Sequence, residues 1–327
     1  MRVEWCSPFP TDLPEGLDKL YASGKVSCGE YVAEFESALK KKFNTQKDFV
    51  CVNSGTAALF LAIYFAKAPG VEAYYPGTAF KAIENVLPML SVRSTKRDVD
   101  MQGNIIPWTD DRLGIVVDFA GIPANYKELN KLPFVHDGCE SMFATYEGKS
   151  VFDLGLVSSV SFHACKQFTT GGEGGAVIID SEARKYIEDY RNHGGRVAHN
   201  WGFNFRMTEM QAFMGLHALE TVDESQKRRA EIFDAYSEEL PYLDSPNGQN
   251  GYCMYIMPCE DAPKVEAELQ SRDIVALQRF AYAVPKETEF LPGVTKVSSN
   301  VSLPMHHAIT DEQRDYVIKN AKEVLGL

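Results

Sequence analysis

Residues 158–180 read SSVSFHACKQFTTGGEGGAVIID and hold one lysine, Lys166, between two strand-like runs. Val157 to Phe162 is mostly small, apolar and hydroxylated, and Ala176 to Ile179 is a second short apolar run. Thr169 to Gly175 between them is dense in glycine, a loop open to backbone angles that other residues avoid. A lysine so placed sits at a strand end, facing backbone that can close around a ligand. Two readings compete. One is a solvated lysine beside a hairpin, and the other is a Schiff-base lysine holding a carbonyl cofactor such as pyridoxal phosphate.

The other groups that such a cofactor needs decide between them. Phe49 to Val52 is a short buried strand running into NSGTAALFLAIYFA from Asn53. A strand ending at Asn53, a turn at Ser54-Gly55-Thr56 and an apolar helix from Ala57 bring unsatisfied N–H groups and two hydroxyls together. That helix start binds phosphate, or is simply a capped end. Ala73 to Tyr75 is a strand, PGTAF a turn and Lys81 to Leu90 a helix, so Phe80 lies just past a strand end, as a stacking face for a flat ring or as a core residue. Ile115 to Asp118 and Phe134 to His136 are two more strands, separated by a helix-sized segment. This alternation predicts a doubly wound α/β domain whose ligands gather at the carboxyl ends of the strands. Asp118 and Asp137 both stand at such ends. A carboxylate there keeps a pyridinium nitrogen protonated, or serves as a turn residue. Thr56, Asp137 and Lys166 on one edge favour the cofactor.

Around this centre, residues 11 to 43 read as two helical stretches, the second with Val32, Phe35, Ala38 and Leu39 at helical spacing. Ser181 to Asn192 is helical. Thr208 and Gln211 have the spacing of a capping box that opens a long helix toward Leu240. The remainder predicts a smaller α/β domain with strands at Tyr252 to Met257 and Val301 to Leu303, and helices at Ala262 to Arg272 and Asp311 to Leu325. The expected division is a large domain over 1–222 and a small C-terminal domain over 223–327.

Composition narrows the class. The 327 residues are 45% hydrophobic and 24% charged, as in ordinary globular proteins, with a net charge of -12 that argues against nucleic acid as a partner. Seven cysteines without a C-x-x-C pair indicate a reducing cytosol and neither a disulfide framework nor a metal site. The first residues lack the apolar core of a signal peptide, and no apolar run is long enough for a membrane span, so a cytoplasmic location is expected.

Taken in order, the motifs resemble those of the DegT/StrS sugar aminotransferases, a group of fold-type I pyridoxal-phosphate enzymes. They are G-x-x-V-x-x-F-E (Gly29, Val32, Phe35, Glu36), N-S-G-T-A-A-L from Asn53, P-G-x-x-F to Phe80, and D-F-A-G-x-P from Asp118. H-D-G-C-E-S from His136, S-F-H-A-C-K to Lys166, T-T-G-G-E-G-G from Thr169, R-N-H-G from Arg191, G-F-N-F-R-M-T from Gly202 and L-P-M-H-H from Leu303 complete the set. The resemblance implies a large domain with a mixed, mostly parallel sheet flanked by helices, followed by the smaller domain. It implies that Lys166 carries the cofactor as an imine, Asp137 pairs with the pyridine nitrogen, Phe80 stacks on the ring, and Gly55, Thr56 and Ser161 hold the phosphate. Glu140 stands near the ring hydroxyl where many members have Gln. Asn204 reaches the phosphate of a neighbouring subunit, which makes the active unit a homodimer with shared sites.

The implied reaction is a ping-pong transamination. Glutamate or glutamine gives its amino group to pyridoxal 5'-phosphate, and the resulting pyridoxamine phosphate gives it to a nucleotide-linked keto sugar, as in amino-sugar biosynthesis for surface polysaccharide or glycoconjugate. Lys166 moves the proton and has to be neutral to do so, which requires positive neighbours, desolvation or the imine itself to lower its pKa. Candidate substrate contacts are Arg206, His193, Arg279 and His306, with Arg191, Arg196 and His307 behind them. Three departures mark this chain: one extra glycine in T-T-G-G-E-G-G, Asp118 and Ile122 where His and Gln are common, and a shortened segment between Arg279 and Leu303. The rival readings are a regulatory or binding relative without turnover and a pyridoxamine-dependent sugar dehydratase, which carries His where this chain has Lys166. A nicotinamide enzyme lacks its G-x-G-x-x-G here.

Overall fold

The computed structural model describes residues 1–10, 12–27, 29–67, 70–195, 201–278 and 290–327. In chain order, α1 (Leu17–Ala22) and α2 (Tyr31–Lys42) precede β1 (Asp48–Val52), α3 (Gly55–Ala66), β2 (Glu72–Pro76), α4 (Lys81–Met89) and β3 (Arg93–Arg97). Next come β4 (Leu113–Val117), α5 (Tyr126–Leu129), β5 (Phe134–Asp137) and a small hairpin of β6 (Thr145–Tyr146) and β7 (Lys149–Ser150). They are followed by β8 (Val157–Ser161), β9 (Gly175–Ile179), α6 (Arg184–Arg191) and the long α7 (Glu209–Glu239). The last elements are β10 (Tyr255–Met257), α8 (Ala262–Ser271), α9 (Pro292–Ser298), β11 (Val301–Leu303) and α10 (Asp311–Leu325). Among the described residues no helix is long and apolar enough to cross a membrane.

Seven strands form one sheet in the order β1-β9-β8-β5-β4-β2-β3. Only β9 runs against the others, pairing antiparallel with β1 on one side and β8 on the other. The remaining pairs are parallel. Gly175 at the start of β9 pairs with both Val52 and Ser161, so the carboxyl ends of β1 and β8 lie level on one edge with those of β5 and β4. This is the mixed, mostly parallel α/β sheet that the resemblance implied. The sequence reading missed β3, RSTKR, because an exposed edge strand has no apolar face to alternate with and carries charge instead.

Side chains alternate across the sheet, which divides its residues between two cores. Val50, Val52, Ile115, Val117, Val135, Val157 and Val177 share one core with Ala58, Leu59, Leu61 and Ile63 of α3. Phe49, Cys51, Val160, Ala176 and Ile178 point the other way, against Phe35 and Leu39 of α2 and Ala212, Ala218 and Val222 of α7. Each large aliphatic side chain so covered contributes about 1.5–3 kcal/mol before chain entropy is counted. Glu36, only 3% exposed, ties α2 to the sheet: it accepts from the Cys51 N–H at 2.8 Å and from Arg191 Nη1 at 2.7 Å, and pairs with Arg184.

The Thr208 and Gln211 capping box forms as expected and opens the 31-residue α7. The far end of α7 buries Ile232, Phe233 and Tyr236 in a separate core with β10, β11, α8 and α10. Two corrections apply there. The first strand starts at Tyr255 rather than Tyr252, whose φ of 53° is incompatible with a strand. The helix α9, begun by Pro292, was missed.

Candidate functional site

The helix α3 begins at Gly55, two residues earlier than the sequence reading placed it. Ser54 is its N-cap, and Ser54 Oγ accepts from the Ala57 N–H at 3.1 Å. The first-turn N–H groups of Gly55 and Thr56 have no acceptor within the helix, and the helix dipole adds to their pull on an anion. Gly55 is required by a close approach: a Cβ there would stand 2.5 Å from the Cβ of Ser161. That approach brings the Ser161 hydroxyl, at the end of β8, onto the start of α3.

Asp137 ends β5 two residues after Val135, so it faces the α3 side of the sheet. It is 7% exposed, with Oδ1 accepting from the Cys139 N–H at 3.2 Å and from Ser159 Oγ at 3.5 Å. Asp118 follows β4 by one residue and faces the other way. Its carboxylate is fully buried and committed: Oδ1 accepts from the Ala124 N–H and the Tyr126 hydroxyl, both at 2.8 Å, and Oδ2 lies 2.9 Å from His136 Nε2. Burial, then the Asp118 charge, pushes the Tyr126 phenol well above its usual range. Of the two strand-end aspartates, Asp137 alone lines the cavity at this edge.

That cavity has a volume of about 440 Å³ and is lined by Gly55, Thr56, Phe80, Asp137, Glu140, Ser161 and Lys166, seven of the sequence-predicted residues. Its size lies in the range of small-molecule sites. Phe80 is 57% exposed and stands at the cavity wall. Glu140 Oε2 accepts from the N–H of Ala120, a residue held at a φ of 57°. Glu140 thereby fixes the turn after β4 while standing near Lys166. Burial lowers the Lys166 amine, but the charge of Glu140 and the thiols of Cys139, Cys253 and Cys165 outweigh it, leaving the pKa above the ordinary lysine value. Of the routes to a neutral amine that the sequence offered, positive neighbours are replaced here by Glu140, and the surroundings of the free amine favour the ammonium.

The glycine loop beside Lys166 accommodates its extra residue with Gly171 and Gly172 at φ values of 88° and 124°. Thr169 Oγ1 accepts from the Gly172 N–H at 2.9 Å, Thr170 Oγ1 donates to the Glu173 carbonyl at 2.6 Å, and Gln211 Nε2 donates to the same carbonyl at 2.8 Å. The loop is thus tied to the cap of α7, with Glu173 facing the cavity.

Other predicted residues fall outside the cavity. Arg191 is a correction: it does not line the cavity, and its guanidinium donates to Glu36 and to the Cys51 carbonyl. His306 is 5% exposed and its Nε2 lies 3.1 Å from the Glu4 carbonyl, and Arg206 Nη1 donates to Asn192 Oδ1 at 2.6 Å. His193 and Asn204 are exposed, and the Asn204 carbonyl accepts from Asn53 Nδ2 at 3.3 Å. Arg279 and Arg196 lie outside the described residues. The sequence reading passed over Thr78, Cys139, His163, Cys165 and Glu173, which also line the cavity. All but Thr78 sit within four residues of Asp137 or seven of Lys166, so inspecting the motif neighbours would have found them.

Residues 12–322 match the model of the DegT/DnrJ/EryC1/StrS aminotransferase family. The chain is 30% identical over 259 residues to a Campylobacter jejuni protein named UDP-4-amino-4,6-dideoxy-N-acetyl-beta-L-altrosamine transaminase, covering 70% of this chain and 68% of the other. It is 25% identical to the spore coat polysaccharide biosynthesis protein SpsC of Bacillus subtilis, covering 93% of this chain and 92% of that one. Among solved structures, the sugar aminotransferase CalS13 from Micromonospora echinospora superposes with a TM-score of 0.90 at 23% identity, covering 98% of this chain and 99% of that one, which shows the shared fold.

Proposed function

The chain belongs to the DegT/DnrJ/EryC1/StrS aminotransferase family, and from that premise we propose that it uses pyridoxal phosphate to move an amino group from glutamate or glutamine to a keto sugar carried on a nucleoside diphosphate. The observation that carries this reading is the grouping of Lys166, Asp137, Phe80 and the Ser161-backed start of α3 around one cavity. The donor set fits the cofactor: an amine for its aldehyde, a carboxylate for its ring nitrogen, an aromatic face for its ring, and hydroxyls with helix N–H groups for its phosphate.

When bound, pyridoxal phosphate supplies a ring that stores the electron pair left as a proton departs from the amino-bearing carbon. Lys166 Nζ would hold the carbonyl carbon and, as a free neutral amine, would take that proton and return it as an acid at the neighbouring carbon. Asp137 would hold the ring nitrogen as N–H. Phe80 would stack on the ring and keep water from it. Glu140 holds the turn after β4 and would favour the ammonium that Lys166 becomes once it has taken the proton. Asn204, exposed at the end of β1 beside Asn53, is offered to the phosphate of a second subunit, so the working unit is a homodimer. The named substrates of the Campylobacter jejuni relative support a nucleotide sugar as the acceptor.

Incubation with pyridoxal phosphate followed by desalting is expected to leave a visible absorbance band that borohydride abolishes and that Lys166→Ala lacks. A wild-type chain that stays colourless breaks the cofactor assignment. Glutamate with a panel of nucleotide keto sugars, read by mass spectrometry, tests the acceptor class, and no aminated product from any of them removes it.

A further inference from the structure

We propose that Cys165 is an activated thiol and a modification site, taking hydroperoxides and other soft electrophiles that enter the Lys166 cavity. Cys165 lines two spaces at once. One is the 440 Å³ cavity, and the other is a void of about 10 Å³ behind it, shared with Cys6, Arg229 and Cys253.

The first supporting group is His163. Its Nδ1 lies 3.1 Å from Cys165 Sγ, and its Nε2 lies 3.9 Å from Glu173 Oε1. An imidazole so placed takes the thiol proton on one side and faces a carboxylate on the other, the arrangement that turns a thiol into a nucleophile. The second is Arg229, 3% exposed, which lines the small void. Its Nη1 donates to the carbonyls of Met305 at 2.8 Å and Cys253 at 3.3 Å, while its Nε has no hydrogen-bond partner. No carboxylate among the described residues lines that void, and a guanidinium does not give up its proton. The void that this guanidinium lines also holds the thiols of Cys6, Cys165 and Cys253. Of these three, Cys165 alone also opens onto the larger cavity.

Cys139 is the built-in control. It lines the same cavity and meets the same reagents. Burial, then the charge of Asp137, pushes its thiol well above the ordinary range, with Glu140 adding to the effect. The cavity therefore holds one thiol among carboxylates and another beside an imidazole, the second also sharing a void with a buried guanidinium.

With hydrogen peroxide as oxidant the step balances. His163 takes the thiol proton, and Cys165 Sγ gives an electron pair to one peroxide oxygen. The S–O bond forms as the O–O bond breaks, and the departing hydroxide recovers the proton from His163. The products are a sulfenic acid and water, with sulfur oxidised and peroxide reduced.

The test is limited labelling of the full chain, with iodoacetamide or with hydrogen peroxide and a sulfenic-acid trap, mapped by peptide mass spectrometry. Cys165 is expected to react about tenfold faster than Cys139, and His163→Gln to bring Cys165 to within about threefold of Cys139 while Cys253 labelling holds steady. Because His163 is exposed, that variant keeps its fold. Equal rates for Cys165 and Cys139 in the wild type overturn the proposal, as does an unchanged Cys165 rate in His163→Gln.

Discussion

Two adjacent parallel strands carry an aspartate at their carboxyl ends, and the two residues have opposite fates. Asp137 ends β5 on the α3 side and lines the cavity, while Asp118, one residue past β4, faces the far side and is consumed by Ala124, Tyr126 and His136. Chemistry and position along the strand are nearly the same for both. Parity differs: Asp137 is two residues from the inward Val135, and Asp118 is one from the inward Val117. A strand-end carboxylate is available to a ligand only when the pleat turns it toward the open side.

The largest effect that tests this contrast is on turnover. Asp137→Asn is expected to lower kcat about 10²- to 10⁴-fold, with thermal stability close to wild type because its Oδ1 contacts survive the change. A variant that keeps full turnover would place Asp137 with Asp118, as a structural residue. The reciprocal change comes next. Asp118→Ala strips a buried hub of three donors and is expected to cost about 3–5 kcal/mol in chemical unfolding. Should Asp118→Ala unfold like wild type yet lose activity, the parity argument would be reversed.

This pair also shows what the sequence made legible. Strand ends, the capped helix start and the glycine loop are local patterns, so they pointed to Lys166, Asp137 and Thr56 on one edge and to the α/β architecture, while Ser161 came only with the family resemblance; all four line one cavity. Which side of the sheet a residue faces depends on register, and Asp118 shows that a one-residue offset decides it. Arg191 failed for a related reason: a partner 155 residues away, Glu36, claims its guanidinium, and no local motif announces that. His306 was read as a substrate group because it stands in L-P-M-H-H. Its enclosure arises from Glu4, at the other end of the chain, and from Arg229 on α7.

His306 and His307 extend the closed half of the comparison and give its smallest test. Burial, together with the positive charge of Arg229, lowers both imidazoles to about 4. Their nitrogens confirm the enclosure, since His306 Nδ1 and both nitrogens of His307 lack partners. A histidine whose folded pKa is depressed stays neutral in the native state while the unfolded chain binds a proton below about 6.5. Stability is therefore complete above that value and is lost as pH falls from about 6.5 toward 4. Melting temperature is expected to drop between about pH 6.5 and 5, ahead of most carboxylate titration. Replacing both residues with Asn is expected to flatten that part of the profile, whatever the variant's stability at neutral pH. If wild type and the double variant lose stability in parallel, these imidazoles are hydrated and reachable, and His306 returns to the open side as a substrate contact.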